Sequence, residues 1–123
     1  MIEKTILIFT EKEEEFIGLL TDIGLNKNIA QLLVYLSELK RASSHDIEHG
    51  TGLRQPDVSN ALKYLVERGW IERRKSLVKS KGRPVSIWNL VLPFDQILDI
   101  IIYEKQQELQ THMEMVQRVW NYL

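Results

Sequence analysis

Gln55, Pro56, Ser59, Asn60, Lys63 and Tyr64 lie at spacings that gather them on one side of a predicted helix over residues 55–68. Their chemistry suits the edges of base pairs. A glutamine or asparagine amide such as Gln55 or Asn60 can make two hydrogen bonds to adenine, and Lys63 can meet guanine or a phosphate. Ser59 can reach either kind of acceptor, and Pro56 offers an apolar contact to a thymine methyl group. Asp57 is unhelpful beside phosphate and is expected to favour the helix N-terminus instead. Just downstream, residues 71–83 carry Arg73, Arg74, Lys75, Lys79, Lys81 and Arg83 against a single acid, Glu72. Lys79, Lys81 and Arg83 are assigned to backbone phosphates or the neighbouring minor groove, with Gly82 allowing a sharp tip, and Arg73 is counted among the DNA-binding residues. Contacts of that kind position a protein on a duplex, whereas base contacts select the sequence. A solvated helix face and a lysine-protected sheet edge would have a similar composition. The order of the elements separates the two readings.

That order begins with Thr10 and Glu13, which form a capping-box pattern ahead of a helix from about residue 11 to 22, ended by Gly24. The apolar face expected there is Phe16, Leu19, Leu20 and Ile23. Asn26 is the next N-cap. The helix from Lys27 to about Leu39 carries Ile29, Leu32, Leu33, Leu36 and Leu39 at helical spacing. Ser43 caps a short third helix with Asp46 three residues on and Ile47 facing the core. Gly50 and Gly52 bracket the following turn, where left-handed backbone is easiest for glycine. Pro56 suits the first helical position, which makes Gln55 the expected cap of the fourth helix. Val58, Ala61, Leu62 and Leu65 form its buried stripe, and Gly69 ends it. Two strands enclose the basic run, with Ile71, Trp88 and Leu90 closing over the helices. After Pro93 no proline or glycine interrupts residues 94–123. A helix of about 30 residues, ~45 Å long, is therefore allowed.

The last helix has a seam that advances in alternating steps of four and three: Leu98, Ile102, Lys105, Leu109, His112, Val116, Val119 and Leu123. Six of these eight are apolar, and Ile97, Ile101, Met113 and Trp120 widen the stripe. Such a seam reads as coiled-coil packing against another helix. A domain this small cannot cover it, so a homodimer through Leu98, Ile102, Leu109, Val116, Val119 and Leu123 is expected.

The fold class expected is mainly α with a small β-hairpin wing. It divides into an N-terminal arm (1–10), a winged helix-turn-helix (11–92) and a long C-terminal dimerisation helix (93–123). The net charge of −1 is unevenly spread. Residues 41–90 hold ten Lys/Arg and five Asp/Glu, while both flanking segments are net acidic. Attraction to phosphate follows local potential rather than the total. No apolar run reaches the ~18 residues of a membrane span, and no leader pattern opens the chain, so a cytoplasmic protein without membrane association is expected. The absence of cysteine removes disulfides, thiol catalysis and thiolate metal sites.

Helix, turn, helix and basic hairpin at this spacing resemble the DNA-binding domain of TrmB-like and MarR-like winged-helix transcriptional regulators, over about residues 20–92. The resemblance is carried by Gly24-Leu25-Asn26-Lys27-Asn28, by Ile47 to Gln55, by Val58-Ser59-Asn60-Ala61-Leu62-Lys63-Tyr64-Leu65, and by Gly69-Trp70-Ile71. Its more specific part is Gly82-Arg83-Pro84 followed by Trp88-Asn89-Leu90, where the family often has a tyrosine in place of Trp88. It implies a dimeric DNA-binding repressor or activator, with the second motif helix in the major groove and Arg83 on the wing. The large sugar-binding domain of full-length TrmB proteins has no counterpart among these residues, so sugar sensing is not implied.

Other chemistry finds little support. His45 and His49 are four apart on a short helix, but zinc takes three or four ligands and no third is evident. Glu108 and His112 share a face of the long helix; across a dimer they could meet their symmetry mates as a pH- or metal-sensitive site, and the plainer reading is a polar pair that sets register. There is no phosphate-binding glycine loop and no nucleophile setting. No cofactor, no metal and no enzymatic activity are expected, and no effector is identified. The rival reading is a winged-helix protein-interaction module of a transcription assembly, because fold alone does not fix function.

Overall fold

The computed structural model describes residues 9–39, 41–75 and 85–123. Within them the chain forms α1 (Glu11–Asp22), α2 (Lys27–Glu38), β1 (Ala42–Ser43), α3 (Ser44–Thr51), α4 (Gln55–Glu67), β2 (Ile71–Lys75), β3 (Ser86–Leu90) and α5 (Phe94–Trp120). This is a mainly helical winged fold. The strands form one antiparallel sheet in the order β1-β3-β2.

α1, α2 and α3 start where side chains satisfy their first N–H groups. The Thr10 hydroxyl accepts from the Glu13 amide at 3.0 Å, and the Glu13 carboxylate accepts from the Thr10 amide at 2.9 Å. Ser43 and Asp46 repeat this reciprocal pair at the head of α3. Asn26 Oδ1 accepts from the amides of Asn28 and Ile29. Such caps typically contribute about 1 kcal/mol each.

The cap of α4 differs from expectation. Arg54, not Gln55, is the N-cap, and no side chain bonds back to the helix start. The Arg54 carbonyl accepts from the Val58 amide at 2.9 Å, which makes Gln55 the first helical residue. The Gln55 amide is thereby left uncommitted to capping.

The core is built on α2, which is buried nearly all round: Ala30, Leu32, Leu33, Val34, Tyr35 and Leu36 are all inside. Ile47 of α3, Val58, Ala61, Leu62 and Leu65 of α4, and Trp70 and Ile71 at the start of β2 pack around it. Trp88 and Leu90 are half-buried against the same core.

On α1 the buried face is Ile17 and Leu20, whereas Leu19 and Ile23 are 56% and 45% exposed. The expected stripe is thus turned toward its neighbour. Ile17 and Leu20 join the common core, while Phe16 meets the Phe94 ring of α5 edge-on at 6.1 Å.

Gly50 also has a role other than the one expected. It lies inside α3 rather than in a left-handed turn; Gly52, with φ +77°, takes that conformation. A Cβ on Gly50 would stand 2.1 Å from Tyr35 Cε1, so the residue makes room for that ring. The Tyr35 hydroxyl donates to the Asp46 carbonyl at 3.0 Å, and burial, with Asp46 adding to it, pushes the phenol pKa upward.

β1 was not foreseen. It pairs Ala42 with Trp88 and Ser43 with Ile87, tying the start of α3 to the hairpin. The Trp88 indole N–H donates to Ser44 Oγ at 3.2 Å across the same junction.

Candidate nucleic-acid interface

The second motif helix presents its polar residues much as the spacing predicts. Gln55, Pro56, Ser59, Asn60 and Lys63 are exposed, above the buried row Val58, Ala61, Leu62 and Leu65. Gln55, Ser59 and Lys63 follow one another at intervals of four. Together with Ser44, Glu48 and Trp88 they line a cleft of about 230 Å³ between α3, α4 and β3. Asn60 turns to the other flank of α4, where it borders a hollow with Asp57, Asn26 and Asn28.

Tyr64 departs from the expected exposure. It is half-buried, edge-on to the Trp70 ring with centroids 6.4 Å apart. It belongs to the packed C-terminal end of α4 and not to the open polar face. The physical reason is Trp70 itself, which is 2% exposed and draws the neighbouring ring onto it.

The hairpin pairs Ile71 with Leu90, Arg73 with Trp88 and Lys75 with Ser86. Side chains alternate across a strand, so Arg73 and Lys75 share the face of Ile71, which is turned toward the helices. Both are exposed, as is Arg74. Arg74 lies on the opposite face with Glu72 and donates to its carboxylate at 2.7 Å. Asn89 donates to the same oxygen at 3.2 Å. The Asn89 bond and then the Arg74 bond hold the Glu72 carboxyl below its ordinary pKa. The one acid of the basic run is therefore engaged by its own neighbours. Lys79, Lys81 and Arg83 lie outside the described residues.

The rings of the two histidines of α3, His45 and His49, lie tilted at 53° to each other with centroids 4.2 Å apart. Among the described residues no group of three or more His, Asp or Glu side chains is placed to hold a metal. Glu108 accepts from Lys105 at 3.4 Å, within α5. Among the described residues no helix is long and apolar enough to cross a membrane.

α5 has two unlike parts. Ile97 and Ile101 are buried in the domain core, and Leu98 is partly buried against it. The first turns of the long helix are therefore a structural part of the winged domain rather than a separate appendage. Beyond Ile101 only Glu104 and Lys105 are half-buried, and every residue from 106 to 123 is exposed. The seam residues Ile102, Leu109, Val116, Val119 and Leu123 are 44–94% exposed, and Met113 and Trp120 stand open beside them.

One group was missed by the sequence reading. Arg68, at the C-cap of α4, bonds Glu104 of α5 and stacks its guanidinium 4.3 Å from the centre of the Trp70 ring. Basic residues near helix ends are common, and only the fold reveals this one's partner 36 positions away.

Residues 23–78 match the MarR family model. No curated protein matches the chain. Among solved structures, TrmBL2, an archaeal chromatin protein, aligns over 89% of this chain and 40% of its own, with 16% identity and a TM-score of 0.63. This chain thus spans well under half the length of that protein. A possible transcriptional regulator from Methanosarcina mazei Go1 aligns over 95% of this chain and 98% of its own, with 17% identity and a TM-score of 0.60. The transcriptional regulator PA4135 aligns over 90% and 86%, with 16% identity and a TM-score of 0.57. At these identities the structural matches establish the fold. Residues 23–78 are thus similar to the MarR family, and the chain as described has the winged-helix fold of these solved structures.

Proposed function

We propose that the protein is a sequence-specific regulator of transcription that binds double-stranded DNA as a homodimer. The observation that carries this reading is the exposed polar row of α4, set between the α3 turn and the basic hairpin. A helix of this exposure fits a major groove, and a flanking hairpin then lies along the backbone. Gln55, Pro56, Ser59, Asn60 and Lys63 would meet base edges. Arg73 would meet phosphate from the hairpin, as would Lys79, Lys81 and Arg83 of the wing. Tyr64 enters this proposal as a support for α4. TrmBL2 is described as a chromatin protein with a novel mode of DNA binding, which supports the partner class.

The homodimer reading is supported by α5. Leu109, Met113, Val116, Val119 and Trp120 are all more than half exposed on a helix of 27 residues, ~40 Å long. A second α5 would cover them by knobs-into-holes packing. Leu19 and Ile23 of α1 are exposed as well. The Phe16–Phe94 contact and the approach of Lys105 to Gly24 place α1 alongside the first half of α5. Leu19 and Ile23 therefore extend the surface available to the partner. Two recognition helices so held would address half-sites about one helical turn or more apart.

The test divides affinity from specificity. Asn60→Ala is expected to cost about 1–3 kcal/mol at particular base positions and little elsewhere. Arg83→Ala is expected to weaken binding on every duplex and to lower the salt slope by about 1. Anisotropy titrations on a panel of single-base variants would show both effects. Equal losses on all sequences for both mutants would overturn the division of roles.

A further inference from the structure

The contact between Arg68 and Glu104 occupies an unusual place. Ile101 is the last buried residue of α5, and Glu104 is three positions further on. It therefore lies where α5 leaves the domain. Arg68 lies where α4 ends, followed by Gly69 with φ +77° and the buried Trp70. The Arg68 guanidinium bonds Glu104 Oε2 on one side and covers the Trp70 ring on the other, with Tyr64 6.0 Å away. Trp70 is itself fixed, its amide donating to Leu65 and its carbonyl accepting from Val91. The planar guanidinium can stack and bond at once, which a lysine ammonium cannot do. Beyond this point α5 also approaches its own domain at Lys105, whose Nζ lies 3.3 Å from where a Cβ on Gly24 would stand.

We propose that Arg68 and Glu104 are positioning residues that fix the angle between α4 and α5, and so the separation of the two recognition helices in the dimer. The inference rests on the homodimer reading above. Geometry makes it consequential. Gln55 lies thirteen residues before Arg68, about 20 Å along the helix axis. A rotation of about 10° at Arg68 would carry Gln55 about 3.4 Å, one base step along a strand. Loss of the clamp should therefore relax the spacing of half-sites without changing the bases each half prefers.

The sequence has no cysteine, so one introduced thiol gives a clean label. Arg54, the exposed N-cap of α4, lies at the opposite end of that helix from the clamp and stays out of the assigned base contacts. Spin labels on Arg54→Cys in the full chain should give one narrow inter-label distance. Adding Glu104→Ala, at a half-exposed helical position, should broaden that distance or shift it by about 3 Å, the displacement that a rotation of about 10° at Arg68 gives at the start of α4. Adding Glu104→Gln, which still accepts from the guanidinium, should leave it close to the parent. Melting curves separate a repositioned helix from an unfolded domain. On paired half-sites the parent should prefer one spacing by roughly tenfold, and Glu104→Ala by less than about threefold. An unchanged distance distribution with Glu104→Ala would overturn the clamp. A monomer with no inter-label signal would overturn the dimer reading and the spacing role with it. A dimer whose distance responds as expected, but which binds no duplex, would uphold the clamp and refute the DNA reading.

Discussion

Aspartate at both Leu109 and Val116 is expected to convert the protein to a monomer and to lower its affinity for a two-half-site duplex by about 10²–10⁴-fold, the advantage that bivalency confers. The residues are seven apart and so occupy the same seam position in successive heptads. A symmetric interface would meet each new charge twice, and burying an unpaired carboxylate in apolar surroundings is prohibitive. In the single chain these positions are 61% and 52% exposed, so the winged domain itself does not depend on them. The near-ultraviolet signal of the buried Trp70 should persist while light scattering reports half the mass. A variant that remains dimeric would place the interface elsewhere.

The second large effect concerns a substitution whose sign depends on position. In a helix interior, glycine is about 1 kcal/mol worse than alanine. On that ground both Gly18→Ala and Gly50→Ala should stabilise. Gly18 lies in α1 with nothing within 4 Å of an added Cβ, and its melting temperature should rise. Gly50 lies in α3 beneath Tyr35, with Cε1 at 2.1 Å, Cζ at 2.7 Å and the hydroxyl oxygen at 2.9 Å from that Cβ. The ring cannot swing away freely, because it is 5% exposed and its hydroxyl is bonded to the Asp46 carbonyl. Overpacking costs about 1–3 kcal/mol, and losing the hydrogen bond adds about 1 more. Gly50→Ala should therefore unfold at lower denaturant than the parent, and Gly18→Ala at higher. Equal stabilisation by both would show that the Tyr35 site yields without strain.

The contrast between these glycines illustrates what can be read in the chain alone. Thr10, Asn26 and Ser43 announce helix starts because a cap involves residues two or three apart, and all three cap as expected. Gly69 ends α4 for a similarly local reason. The exposed row of α4 is legible for the same reason: Val58, Ala61, Leu62 and Leu65 set which side is inward. Gly50 was misread because the need for a hydrogen atom there arises from Tyr35, fifteen residues away and on another helix. β1 was invisible because two residues become a strand only by pairing with β3. The face of α1 was rotated because Phe16 is held by Phe94, a contact that no local period encodes. Tyr64 and Arg68 were likewise governed by Trp70 and Glu104, whose positions depend on the closed fold.

Polarity of charge is the thread joining sequence and site. Among the described basic residues of the middle segment, Lys63 is exposed on α4 and Arg73, Arg74 and Lys75 are exposed on β2, where Glu72 is engaged by Arg74 and Asn89. An acidic total is compatible with phosphate binding when the local field is positive. Phosphate binding of that kind is sharply dependent on ionic strength, since each neutralised phosphate releases counterions.

The central proposal is sequence-specific binding of duplex DNA. Its most direct test is fluorescence anisotropy of the purified protein with duplexes from its own upstream region and a scrambled control, repeated at several salt concentrations. The account predicts tight binding that favours the native fragment and falls steeply as salt rises, with a slope near −0.9 for each phosphate contacted. Absence of binding to either duplex near physiological salt would contradict it and favour a protein-docking role for the same winged domain.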